Sequence, residues 1–173
     1  MKKILIVLSV IIVILCLFKS ETIIIPKESI RFRIIASSNE KKDQYIKKQV
    51  VKNLQPEINT IDFTPKNIEQ TRISIQNKIP KIKENVKSTL KALNQKESFK
   101  INYGMNYFPE KVYKGVKYEE GEYESLVIEL GDGLGDNFWC VLFPPLCLLE
   151  GEEHTKTEVE YTSFIKEIIN KYF

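Results

Sequence analysis

The sequence predicts an α+β fold: a single domain with a small, mostly antiparallel sheet packed against two to three helices, preceded by an N-terminal signal or anchor helix. Three observations carry this. All seven glycines lie after residue 103, so the first half reads as regular and helical and the second as turn-rich. Apolar residues recur at helical spacing in the first half and alternate at strand spacing in the second. A long apolar run, Ile4 to Phe18, lies near the start of the chain. With 173 residues, 43% hydrophobic and 28% charged, the length fits one domain and the composition fits a folded core.

Met1-Lys2-Lys3 is a basic start, and Ile4 to Phe18 is a run of 15 residues broken only by Ser9. At about 1.5 Å per residue the run spans only ~22 Å, which suits an export signal better than a spanning helix. No small-x-small cleavage site follows it, and Leu15 before Cys16 does not suit a lipoprotein signal. Residues 1–20 therefore read as a signal peptide or an uncleaved signal anchor, and 27–173 as the α+β domain. The protein is expected to be exported, with residues 4–18 contacting the membrane before or without cleavage.

Ile30-Arg31-Phe32-Arg33-Ile34 alternates apolar and basic residues, as a strand with one buried face does. Ser38-Asn39 can cap a following helix. Ile46, Val50 and Leu54 form its apolar stripe, and Pro56 is expected to end it. Thr64-Pro65 reads as a cap plus a first-turn proline. The stripe Ile68, Ile75, Ile79, Ile82, Val86, Leu90 and Leu93 then defines a long helix that Pro80 should kink or split. Ser98 to Tyr103, Tyr123 to Leu130 and Phe138 to Phe143 read as strands. Thr155-Lys156-Thr157-Glu158 offers a capping box. A C-terminal amphipathic helix with Val159, Thr162, Ile165 and Ile169 follows. It either completes the core or lies on a membrane, and its mixed polar face favours the core.

Charge and chemistry exclude some functions. The formal net charge is +3, but beyond residue 20 there are 23 basic and 23 acidic side chains. A dedicated nucleic-acid binder needs a net basic face. Residues 27–117 carry 20 basic and 9 acidic side chains, and 118–173 carry 3 and 13. These halves are expected to neutralise one another on packing. The alternative is a dipolar surface that orients the protein at a partner or membrane. His154 is the single histidine, so chemistry needing two is excluded, while a carboxylate acid or base is not. Cys140, Cys147 and His154 match no common zinc spacing. Outside the cytoplasm Cys140 and Cys147 could form a disulfide. Two buried free thiols are the other reading.

Gly131-Asp132-Gly133-Leu134-Gly135-Asp136 invites a phosphate-loop reading. Its spacing fits neither the dinucleotide nor the Walker pattern, so a flexible turn is expected. Glu119, Glu120, Glu122 and Glu124 cluster as paired carboxylates do in glycosidases, and alternation points half of them to solvent. No serine or cysteine has a histidine or lysine at a motif-like spacing. Two of the three arginines, Arg31 and Arg33, share one strand in a chain that otherwise uses lysine. Their planar forks suit specific carboxylate or carbonyl partners, although a solvent-facing pair fits too. The segment Asn137 to Cys147, with the single tryptophan, Trp139, is either a central buried strand ending in a rigid turn or an exposed aromatic and proline lip.

Arg31-Phe32-Arg33-Ile34-Ile35-Ala36-Ser37-Ser38-Asn39, then Asp43-Gln44, Lys47 and Val50, resembles the opening of the stage II sporulation protein R family. Gly121-Glu122-Tyr123-Glu124-Ser125-Leu126 resembles it as well. The most specific likeness is Gly133-Leu134-Gly135-Asp136-Asn137-Phe138-Trp139-Cys140-Val141-Leu142-Phe143-Pro144-Pro145-Leu146-Cys147. Roughly residues 30–148 are covered, in order and at similar spacing. Arg33 stands where the family has histidine, Ser37 where asparagine is usual and Phe138 where tryptophan is usual. A catalytic histidine in the first motif is thereby removed.

The resemblance implies a signalling protein and not an enzyme. It would be exported from the forespore into the space between forespore and mother cell. There it would activate the membrane-embedded aspartic protease that processes pro-sigma-E, by contacting its extracytoplasmic part. No cofactor, metal, nucleic acid or small-molecule substrate is expected. The candidate contact residues are Arg31, Arg33, Ser38, Asn39, Asn137, Phe138, Trp139, Phe143, Pro144 and Pro145. Two rivals are a cell-envelope hydrolase using the Glu119–Glu124 carboxylates and an anchored structural envelope protein.

Overall fold

The computed structural model describes residues 23–96, 98–113, 116–149 and 158–173. The expected signal or anchor segment, His154 and the capping-box residues before Glu158 lie outside them. Among the described residues no helix is long and apolar enough to cross a membrane.

Strand β2 (Ile30–Ile35) follows the expected alternation. Ile30, Phe32 and Ile34 turn to a core shared with the helices, which leaves Arg31, Arg33 and Ile35 on the opposite face. Helix α1 (Lys41–Ile58) buries Ile46, Val50, Leu54 and Ile58 as an i, i+4 stripe. It runs two residues past Pro56, because burying Ile58 carries the last turn on and the Asn59 N–H closes it on Gln55. Neither Ser38 nor Asn39 is its cap. Glu40 takes that position, with no side-chain cap bond.

Helix α2 (Ile68–Ala92) starts three residues later than Thr64-Pro65 suggests. Lys66 is left-handed, which breaks a helix, and the Asn67 side chain accepts from the Gln70 N–H as the actual cap. The helix is continuous through Pro80. That residue is exposed, so the lost N–H leaves its orphaned carbonyl on the solvent side. Ile75, Ile82, Val86 and Leu90 are buried against α1 and the sheet. Each such side chain contributes about 1.5–3 kcal/mol.

The main sheet is mostly antiparallel. Its order is β3 (Phe99–Phe108), β6 (Gly121–Leu130), β2, β7 (Asn137–Phe143). The β3–β6 and β2–β7 ladders are antiparallel, and the central β2–β6 ladder is parallel. β3 runs to Phe108, five residues past its expected end. β7 is an edge strand, not a central one. Asn137–Cys140 are half-buried and Val141–Pro145 are buried, so the segment is neither the central strand nor the exposed aromatic and proline lip. Cys140 and Cys147 form a disulfide with Cα atoms 5.5 Å apart, inside the usual range. It ties β7 to a 3-10 turn, Leu146–Leu149.

A second sheet was not legible in the sequence. β1 (Ile23–Ile24), β5 (Val116–Tyr118) and β4 (Lys111–Tyr113) pair in that order. Strands of two or three residues are too short to show alternation. Ile23, Ile25 and Val116 form a second core with Val141, Leu146 and Ile165. Ile165 belongs to helix α3 (Glu158–Tyr172). This helix completes a core, as its mixed polar face suggested. Helices α1 and α2 thus cover one face of the main sheet. The small sheet and α3 cover the other at its Val141 end, and Lys111 of β4 reaches as far as Trp139.

Candidate functional site

The two strongest motifs meet at the end of the sheet where β2 leaves and β7 enters. Every backbone N–H from Gly131 to Asp136 is satisfied within the chain. Gly131 donates to Ser98, Gly133 to Leu130, Leu134 to Ser37 and Gly135 to Ala36, all on backbone carbonyls. Asp132 and Asp136 donate to the side-chain oxygens of Ser37 and Asn39, at 3.4 and 2.6 Å. No N–H is left to cradle a phosphate, and the turn is fastened where a flexible one was expected. Gly133 is left-handed, a conformation glycine adopts without cost. Gly135 has a different reason. A Cβ there would collide with the Ser38 carbonyl group.

Polar residues of α1 lock this joint from the other side. The Ser38 hydroxyl donates to Asp43 at 2.6 Å and accepts from the Glu40 N–H. The Gln44 amide donates to the Ser38 carbonyl at 2.9 Å. Lys47, only 7% exposed, donates to the Asp136 carbonyl and to Gln44, each at 2.7 Å. Burial pulls its ammonium below the usual lysine range. Ser38 and Asn39, expected as contact residues, are thus occupied in joining the motifs.

The joint fixes the open face of the main sheet. Register sets Arg33 opposite Trp139, and Ile35 opposite Asn137. On the other flank Arg33 pairs with Val127, and Ile35 with Glu129. The Arg33 guanidinium carbon lies 5.4 Å from the Trp139 ring centre and 4.9 Å from that of Phe108. Lys111 brings its ammonium 5.7 Å from the same Trp139 ring. Phe108 packs edge-on against Trp139 at 5.2 Å. Burial lowers the Arg33 pKa, and Glu129 partly offsets the effect. Nε of Arg33 and Oδ1 of Asn137 are buried without a hydrogen-bond partner.

The arginine pair divides. Arg31 is 2% exposed, which corrects its expected place at a contact surface. The segment after β3 folds over it, and its guanidinium lies 3.3 Å from the Tyr123 ring centre, with Phe108 and Tyr118 further out. Its Nε and Nη2 have no hydrogen-bond partner. Arg31 therefore has aromatic faces in place of the expected carboxylate. Arg33 reaches a carbonyl, that of Tyr107, at a long 3.5 Å.

Phe143, Pro144 and Pro145 are also buried. Phe143 packs edge-on against Tyr172 and Phe173. Phe143 belongs to the helix-side core, and the three do not form a lip. Phe138 is on the helix side of β7, edge-on to Phe32. Of the ten candidate contact residues, Arg33, Asn137 and Trp139 share the open face. Lys111 borders it, and the buried Phe108 packs against Trp139; both were missed. The alternation of β3, continued past Tyr103, could have located Phe108.

The carboxylate cluster does not converge. Glu124 receives two hydrogen bonds from Arg72 Nε, at 3.1 and 2.9 Å, and one from the Tyr103 hydroxyl at 2.6 Å. Glu69 holds the same arginine. Burial and then the Glu124 carboxylate raise the Tyr103 pKa. Glu120 is near the Tyr107 hydroxyl, at 3.5 Å. Among the described residues no three of histidine, cysteine, aspartate and glutamate gather as a metal site would need.

Residues 26–153 match the family described as stage II sporulation protein R. The protein of that name from Bacillus subtilis (strain 168) is 38% identical over 132 residues. The alignment covers 76% of this chain and 59% of that protein, so the chain matches less than two thirds of its relative's length. No solved structure matches the chain.

Proposed function

The chain belongs to the stage II sporulation protein R family, and from that premise we propose that it is an exported signal of endospore formation. The forespore releases it into the space between forespore and mother cell, free or held by residues 4–18. There it binds the extracytoplasmic part of the membrane-embedded aspartic protease that processes pro-sigma-E. Binding favours the active state of that protease, a population shift that needs only differential affinity for the two states. It acts as a ligand and catalyses no reaction itself.

One observation carries the reading: both family motifs converge on a single joint that presents Arg33, Asn137 and Trp139 on an open sheet face. The commitment of Glu124 to Arg72 and Tyr103 weighs against the hydrolase rival.

The test is reconstitution in a non-sporulating host. The protease and its pro-sigma factor are expressed with and without this protein, and cleavage is followed by immunoblot. Cleavage is expected only with the exported wild type, and it should fall at least tenfold with Trp139→Ala. Cleavage that is independent of this protein, in a host shown to export it, would remove the activator reading.

A further inference from the structure

We propose that the open face around Trp139 is a carboxylate-binding site, which takes an aspartate or glutamate side chain of an extended, acidic segment of a protein partner. The inference rests on the activator reading for the partner's identity, but not for the chemistry.

Two cations converge on one indole, Arg33 at 5.4 Å and Lys111 at 5.7 Å. Neither is within 4.0 Å of a carboxylate among the described residues, whereas Arg72, Lys81 and Lys117 all have such partners. Glu129 acts on Arg33 from a distance without forming an ion pair. The Arg33 Nε–H is buried and unpartnered. That atom is closed to a partner, but Arg33 as a whole is only half-buried, and a charge-assisted bond to a carboxylate is the strong one its guanidinium can make.

A carboxylate at this face meets the half-buried Arg33 guanidinium and the exposed Lys111 ammonium together. Phe108 and Trp139 supply an apolar floor that excludes water and strengthens the ion pair. An extended peptide fits such a face, because side chains and backbone groups alternate along it at strand spacing.

The test uses the full chain in detergent micelles. Trp139 is the single tryptophan, so its fluorescence reports on this face alone. The probes are a blocked tetraglutamate peptide, its tetraglutamine counterpart, and vesicles of phosphatidylglycerol. Tetraglutamate is expected to shift Trp139 emission in a saturable way, and tetraglutamine is not. Arg33→Gln and Lys111→Gln should each weaken binding about tenfold, and together about a hundredfold. Lys111 is exposed, so its replacement keeps the fold even if that of Arg33 does not. An unchanged affinity in Lys111→Gln, an equal response to tetraglutamine, or no saturation at millimolar peptide would overturn the proposal. So would a response to vesicles alone, which would assign the face to a lipid surface.

The same variants in the processing assay separate the two readings. If they bind tetraglutamate poorly yet sustain full cleavage, the activator reading stands and the partner's carboxylate is not bound here. If the peptide binds as expected and cleavage never depends on this protein, the site stands without the activator role.

Discussion

Arg31 and Arg33 are two positions apart on one strand, yet the segment at the end of β3 buries Arg31 and leaves Arg33 only half-buried. Arg31 is beneath that segment and rests flat on Tyr123. Cation–π contact contributes about 2 kcal/mol when desolvated, which helps offset the burial of a charge without a carboxylate. Arg33, one register step outward, keeps an open side. A single atom decides the geometry nearby. Adding a methyl group at Gly135 forces its Cβ into the Ser38 carbonyl, and backbone cannot move aside as a flexible side chain can. We expect Gly135→Ala to destabilise the protein by about 2–3 kcal/mol, read from urea denaturation. Gly104→Ala is the control, because a Cβ on that residue would meet no atom within 4 Å. A Gly135→Ala protein as stable as wild type would mean the joint is looser than described.

Among the elements, β7 carries the most. It is an edge strand and depends on β2 alone for its ladder. The Cys140–Cys147 disulfide fastens its middle to the 3-10 turn. A closed loop of this length contributes about 2.5 kcal/mol by chain entropy. Replacing both cysteines with alanine should lower stability by about that amount, measured by urea denaturation. A loss below about 0.5 kcal/mol would show that packing alone holds the strand. The elements also show what the sequence could reveal. Long stripes such as Ile75, Ile82, Val86 and Leu90 were legible, because one face of a long helix repeats its signal several times. The α2 start was misplaced because Thr64-Pro65 and Asn67 are both plausible caps, and only the left-handed Lys66 separates them. Arg33, Asn137 and Trp139 stood out by residue type. Lys111 did not, because a lysine in a lysine-rich chain is distinguished only by the ring it meets in space.

At the scale of the whole molecule, two cores share β7. Leu142 and Phe143 belong to the helix core, and Val141 to the core beneath the small sheet. The charge halves also meet, as in the Arg72–Glu124 pair that joins α2 to β6. The smaller core rests on few residues, so it should open first. We expect Ile165→Ala to speed amide hydrogen exchange in β1 and β5 at least tenfold, with α1 and α2 little changed. Equal acceleration everywhere would show one cooperative unit. The joint between the motifs has a further consequence. Asn39 and Asp136 are 97 positions apart in the chain, and bringing such distant points together costs about 4 kcal/mol of loop entropy. Contacts of this range close late in folding. The face around Trp139 is therefore assembled only once nearly the whole chain is in place. A fragment that lacks either end of this loop has no joint, and so no such face.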